Sequence, residues 1–188
     1  MRTLLLGMGN SILSDDAVGV RLATDFKASV GILPGLDIIE ECSAWGIDLI
    51  EILRGYQRAI VLDSLQTWDS TPGAWHRFTA EALRETVHLT NIHDANFATA
   101  IGLGRQIGVP MPDAGEIHVL AIEIQDNRTF SERMTPIMER AYPGLKAAVF
   151  EELRGLLPGG GASWREATGR RRKIQGGRDG SSTIISRN

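Results

Sequence analysis

Residues 1 to 157 alternate short apolar runs with segments whose apolar residues recur at helical spacing, and this alternation limits the fold more than any other feature of the sequence. No repeat of fixed period underlies it. Strands that alternate with helices pair mostly in parallel, because each helix returns the chain across the sheet through a right-handed crossover. The pattern therefore predicts a single α/β domain, a three-layer α/β/α sandwich around a mostly parallel, twisted sheet.

The expected elements follow one another without long gaps. Buried strands are predicted over 3–6, 36–40, 59–62 and 117–124, and a weaker alternation predicts an edge strand over 74–78. Helices are predicted from about 15 to 29, from 47 to Gly55, from 79, from about 95 to 107, and from 136 to 157.

Composition narrows the class of protein. The chain has 188 residues, of which 43% are apolar, and no apolar run approaches the ~20 residues that span a bilayer. The amino terminus carries no secretory signal, so a soluble cytoplasmic protein is expected. Because Cys42 is the lone cysteine, it excludes an internal disulfide and a thiolate zinc cage. Any metal must then be bound by histidine and carboxylates.

Charge is distributed unevenly along the chain. Residues 1–157 hold 13 Lys and Arg against 21 Asp and Glu, whereas 158–188 hold seven against two. An acidic body disfavours nucleic-acid binding, which depends on Lys and Arg that neutralise phosphates. The Gly-, Ser- and Arg-rich tail from 158 to 188 is expected to be mostly flexible, either a solvated extension or a basic patch for a partner.

The loop after the first strand contains Gly7 and Gly9 and at first suggests a dinucleotide site. The third glycine of that fingerprint is missing, because Ile12 stands at its position. Asp15 and Asp16 then open a helix, where their charge would repel a phosphate. Capping of the helix explains one of these acids but not both.

Two further residues lie where parallel strands and helices converge. Asp63 ends the apolar run 59–62, and His93 precedes a helix. Since ligands bind beyond the carboxyl ends of such strands, Asp16, Asp63 and His93 are expected to share one rim. Two carboxylates and an imidazole suit Zn, Fe, Ni or Mn with open coordination positions. Catalysis by paired acids without a metal is the alternative.

Other side chains have weaker claims to a role. Ser14 and Ser64 lack the nucleophile-elbow motif, and a cysteine nucleophile would have to be Cys42. The remaining histidines are assigned no role: His76, His88 and His118.

These motifs appear in a recognisable order over residues 1 to about 155. They are Gly7-x-Gly9-Asn10-x4-Asp15-Asp16-x-x-Gly19 after the first strand, Ser43-Ala-Trp-Gly46 after the second, Leu62-Asp63 at the end of the third, and His93-Asp94 at the start of a helix. Together they resemble the hydrogenase maturation proteases, the endopeptidases that process the large subunit of nickel-iron hydrogenases.

The resemblance implies a phosphorylase-like or hydrogenase-protease-like α/β/α fold and a hydrolase that removes a carboxyl-terminal extension from the nickel-loaded large-subunit precursor. It puts the metal-binding and catalytic positions on Asp16, Asp63 and His93, with nickel supplied by the precursor. Many members carry Glu at the position of Asp16. The implied substrate-binding residues are Gly7, Gly9, Asn10 and Gly46.

Two other functions stay open at this point. The same rim could serve a non-catalytic partner that checks for metal during hydrogenase assembly. A flavodoxin-like nucleotide binder is the third possibility.

Overall fold

The computed structural model describes residues 1–44, 46–67, 71–85 and 92–157, with only the backbone described for 83–85 and 92–98. The basic tail from 158 to 188 lies outside the described residues. Within the described part, none of the helices combines the length and apolar character needed to cross a membrane.

Five strands of the described chain form one sheet in the spatial order β2-β1-β3-β5-β4. Their bounds are β1 Thr3–Met8, β2 Leu36–Cys42, β3 Arg58–Leu65, β4 Trp75–Thr79 and β5 Ile117–Glu123. All neighbouring pairs are parallel except β4 with β5. The mostly parallel sheet and the edge position of β4 are confirmed.

Helices cover both faces of this sheet. They are α1 Val18–Val30, α2 Ile47–Leu53, α3 Ala80–Glu85, α4 Ile92–Gln106 and α5 Pro136–Leu156. On one face, α1 and α5 pack on alternate residues of the strands such as Leu5 and Leu62. On the other face, α2 and α4 pack on the intervening residues, such as Leu6 and Val61. The predicted three layers are therefore present.

Some element boundaries differ from the prediction. β3 runs to Leu65 rather than 62, because it pairs with β5 as far as the Leu65–Glu123 match. Asp63 consequently lies inside the strand, near its end. α4 begins at Ile92 rather than near 95, which places His93 in its first turn.

The start of α1 lies directly against the ends of two strands. A Cβ at Gly19 would overlap the carbonyl oxygens of Met8 and Leu62, and one at Gly7 would overlap those of Gly19 and Glu40. Close packing of helix on strand is possible only because both positions lack a side chain. The contact brings the segment before α1 to the carboxyl ends of β1 and β3.

Replacing Gly19 with Ala is expected to destabilise the fold by about 1–3 kcal/mol, since the new methyl group meets backbone that must shift. Gly144→Ala is the matched control, because a Cβ at this glycine of α5 would have no described heavy atom within 4 Å beyond its own stretch of helix. The control should leave stability unchanged or raise it by up to about 1 kcal/mol. Urea unfolding of the two variants measures both effects; equal stabilities would contradict the packing described here.

Candidate active site

Two of the predicted site residues meet at the carboxyl end of the sheet. β1 and β3 are neighbours, and Gly7 pairs with Leu62, the residue before Asp63. A 3-10 turn, Ser14–Ala17, joins the loop after β1 to α1 and carries Asp16. The contact of α1 with the strand ends thus places Asp16 beside the last residues of β3.

The carboxylate of Asp16 is held on both oxygens. Its Oδ2 accepts a hydrogen bond of 2.8 Å from the backbone N–H of Asn10, and its Oδ1 accepts one of 2.5 Å from the hydroxyl of Ser64. The side chain is half-buried. Gly9 has a φ of +122°, and a Cβ there would overlap the carbonyl oxygen of Asp16, so the loop can close around this residue only with glycine at that position.

Ser64 connects the two carboxylates. Besides its hydroxyl bond to Asp16, its backbone N–H donates to Oδ1 of Asp63 at 2.8 Å. The sequence analysis treated Ser64 only as a poor nucleophile and missed this connecting role. Its position directly after Asp63 in a strand was the available signal, because consecutive strand residues point to opposite faces. Here the hydroxyl points to the Asp16 side.

His93 belongs to the described backbone in the first turn of α4, but its side chain lies outside the described residues. α4 packs on the sheet face that Asp63 shares with Val61. Among the described side chains, no three of His, Cys, Asp or Glu form a group that could hold a metal ion. The contribution of His93 to a three-ligand set stays a prediction.

Asp15 does not cap the helix that follows it. Neither the 3-10 turn nor α1 has a side-chain cap, so capping explains neither Asp15 nor Asp16. Asp15 is fully buried, and its carboxylate accepts hydrogen bonds from the backbone N–H groups of Gln125, Asp126 and Thr135 and from the Thr135 hydroxyl. These hydrogen bonds hold the segment between β1 and α1 against the segment between β5 and α5.

The predicted substrate-binding residues divide into two kinds. Gly7 is buried, and the missing side chains of Gly7 and Gly9 admit the chain's own backbone. Asn10 is exposed, and Gly46, with a φ of +61°, has no described heavy atom within 4 Å of its Cβ position. Contact of any of the four with a substrate stays a prediction.

Cys42 lies at the end of β2 beside β1 and is 4% exposed. Burial raises the pKa of its thiol, and the negative charge of Asp63 raises it further. A thiol that resists ionisation is a poor nucleophile. The environment of Cys42 therefore argues against cysteine catalysis at this rim.

Comparisons with known proteins were made with the sequence and with the fold. No family model matches the sequence, and no curated protein matches it. The structure of the hydrogenase maturating endopeptidase HybD from Escherichia coli matches with a TM-score of 0.67 and 20% identity, covering 82% of this chain and 93% of that one. The solution structure of an endopeptidase from Escherichia coli gives a TM-score of 0.66 and 22% identity, covering 89% and 94%.

A hydrogenase 2 maturation peptidase from a Thaumarchaeota archaeon has a TM-score of 0.54 and 24% identity, with 84% of this chain and 100% of that chain covered. The chain has the fold of the hydrogenase maturation endopeptidases. The match covers almost the whole length of each of these three chains. The predicted fold class is confirmed.

The stability of variants at Asp15 and Asp16 tests which of the two acids holds the fold together. Asp15→Ala removes a fully buried carboxylate and leaves three backbone N–H groups without that acceptor, so it is expected to cost about 3 kcal/mol or more. Asp16→Ala removes a half-buried carboxylate and is expected to cost about 1 kcal/mol. Denaturant unfolding of both variants measures the difference. A larger loss for Asp16→Ala than for Asp15→Ala would contradict the assignment.

His118, on the opposite face of the sheet from Asp63, predicts a pH dependence of stability. Its Nδ1 is buried and has no hydrogen-bond partner among the described residues, and its pKa lies below the ordinary 6.5 because of burial and the charges of Arg58 and Arg77. The unfolded chain therefore takes up a proton at this residue before the folded chain does. The free energy of unfolding should fall as pH drops below 6.5, by at most about 1.4 kcal/mol per pH unit from this group.

Unfolding measured at pH 7.5 and 5.5 for the wild type and for His118→Gln tests this expectation. The variant should lose less stability over that interval than the wild type loses. An equal loss in the two proteins would show that His118 does not contribute.

Proposed function

We propose that this protein is a hydrogenase maturation protease, an endopeptidase that removes a carboxyl-terminal extension from the nickel-loaded precursor of a [NiFe]-hydrogenase large subunit. The observation that carries the proposal is the meeting of Asp16 and Asp63 through Ser64, at the rim of a fold shared with hydrogenase maturation endopeptidases. Neither carboxylate is needed to build the core. Both belong to the motifs on which the sequence resemblance rests.

Asp16, Asp63 and His93 would recognise the nickel that the precursor already contains. Oxygen and imidazole donors suit nickel among the divalent metals, and geometry then selects among the candidates. The hydrogen bonds from Asn10 and Ser64 fix the Asp16 carboxylate before the substrate arrives. Groups that orient metal ligands in this way affect affinity almost as much as the ligands do. A precursor without nickel would be bound poorly, so cleavage would follow metal insertion.

Hydrolysis requires a polarised carbonyl group and an activated water molecule. The nickel of the precursor can polarise the scissile carbonyl, and a basic side chain at the rim can accept a proton from water. The role of the chain is to hold its carboxylates in fixed positions against the incoming peptide. Asp16 and Asp63 at the carboxyl end of the sheet would meet this requirement when the nickel of the precursor lies beside them.

The surface beside Asp16 suits a protein substrate. Ile12 is 48% exposed and Phe130 is 79% exposed. The backbone N–H of Ser131 donates to the carbonyl oxygen of Ile12, so these two apolar side chains belong to adjoining segments. Exposed apolar side chains next to a polar site are typical of protein-binding surfaces. Asn10 and Gly46 would contact the extended peptide at the same rim.

The test incubates the purified protein with nickel-loaded precursor and measures the mass of the product. The wild type is expected to shorten the precursor at its carboxyl end. Asp16→Ala, Asp63→Ala and His93→Ala are each expected to lower the rate at least about 100-fold, because each removes a group that contacts the metal or the reacting atoms. Asp37→Ala is the control and should retain the rate, because Asp37 is an exposed acid that pairs with Arg2 at the amino-terminal end of β2, away from the rim.

An intact precursor in a stable complex would contradict the endopeptidase function and support the non-catalytic assembly partner. Normal processing by His93→Ala would contradict the ligand assignment. Equal rates on nickel-loaded and nickel-free precursor would contradict recognition of the metal.

A further inference from the structure

Glu123 is a buried acid that neither the fold nor the proposed ligand set requires. It ends β5 and is 4% exposed. Each of its carboxylate oxygens lies 3.2 Å from the hydroxyl of Thr67, and Oε1 lies 3.3 Å from Nε2 of His76 on β4. A buried carboxylate is costly unless it is partnered, so this site pairs the acid with an imidazole.

The register of the sheet places His76 in the same row as Asp63. His76 pairs with Ala121 on one side of β5, and Asp63 pairs with Ala121 on the other. Residues that oppose each other in neighbouring strands point to the same face. Two strand spacings separate the Cα atoms of Asp63 and His76, about 10 Å. The small side chain of Ala121 lies between them.

This shared face is the one that α4 covers. Val61, Val119 and Phe78 lie two residues from Asp63, Ala121 and His76 on the same strands and so share their face, and they pack in the cluster that includes residues of α2 and α4. The first turn of α4 contains His93. The imidazole of His76 thus lies on the sheet face of Asp63, near the carboxyl ends of the parallel strands, while Asp16 lies on the α1 side of the same edge.

We infer that His76 is the acid–base residue of peptide hydrolysis and that Glu123 is its positioning residue; the inference rests on the proposed function. An Nε2–H that donates to the Glu123 carboxylate fixes the tautomer and leaves Nδ1 for the substrate. The side chain of His76 is 27% exposed, so an incoming peptide can reach it. Arg77, the next residue, points to the other face of the sheet and pairs with Glu152 of α5. It therefore does not compete with His76 for the carboxylate of Glu123.

The reaction balances with water as the only co-reactant. Neutral His76 takes a proton from water as the water oxygen bonds to the scissile carbonyl carbon. The imidazolium then gives that proton to the amide nitrogen as the C–N bond breaks. The products are a carboxylic acid and an amine, which become a carboxylate and an ammonium group by proton exchange with water, and His76 returns to its neutral form. The carboxylate of Glu123 stabilises the imidazolium between the two transfers.

The experiment measures kcat and KM for cleavage of nickel-loaded precursor by the full-length chain. His76→Gln should lower kcat by about 100-fold or more with KM unchanged, which is the usual contribution of a general acid–base. Glu123→Gln keeps the shape of the side chain and should lower kcat about tenfold, also with KM unchanged. His118→Gln is the matched control, a histidine on the opposite face, and its kcat should stay within about twofold of the wild type.

A kcat of His76→Gln within twofold of the wild type, with Asp63→Ala inactive, overturns the role of His76 and leaves the proposed function standing. A loss that appears only in KM also overturns it. If His76→Gln fails to fold, Glu123→Gln decides: a lower kcat at unchanged KM supports the pair, and an unchanged kcat overturns it. A wild-type protein that leaves the precursor uncut overturns the proposed function and the role of His76 together.

Discussion

The site depends on the contact between the start of α1 and the carboxyl ends of β1 and β3. Gly7 and Gly19 let the helix backbone touch strand backbone, and any side chain at these positions would overlap carbonyl oxygens. The contact fixes the position of the 3-10 turn relative to β3. It therefore keeps the carboxylate of Asp16 within hydrogen-bond distance of the Ser64 hydroxyl. Packing of glycines, rather than any bond made by the acids themselves, brings the first loop to the third strand.

Two adjacent acids divide the work of this loop. Asp15 turns inward and takes four hydrogen bonds from the segment between β5 and α5. Asp16 remains at the rim, where Asn10 and Ser64 hold its oxygens toward the neighbouring strand. The inward acid holds the loop in place, and the other acid is the one that we propose to recognise the metal. The two aspartates thus have separate roles, although neither the 3-10 turn nor α1 has a side-chain cap.

The sequence predicted the layers, the order of the elements and the convergence of two segments, because apolar periodicity and parallel topology decide these features. It did not predict the role of Asp15, whose partners lie more than 100 residues away. The pairing of His76 with Glu123 was also missed. It depends on the antiparallel register of β4 against β5, and a register between distant strands is decided by packing that no local pattern contains.

The hydroxyl of Thr135 serves two neighbours at once. It caps α5 by accepting from the N–H of Met138, and it donates to the carboxylate of Asp15. α5 and the loop that carries Asp15 therefore share a single oxygen atom. A substitution near the beginning of α5 would disturb the hydrogen bonds of Asp15, even though the two segments are far apart in the gene. We therefore expect these segments to have evolved as one unit.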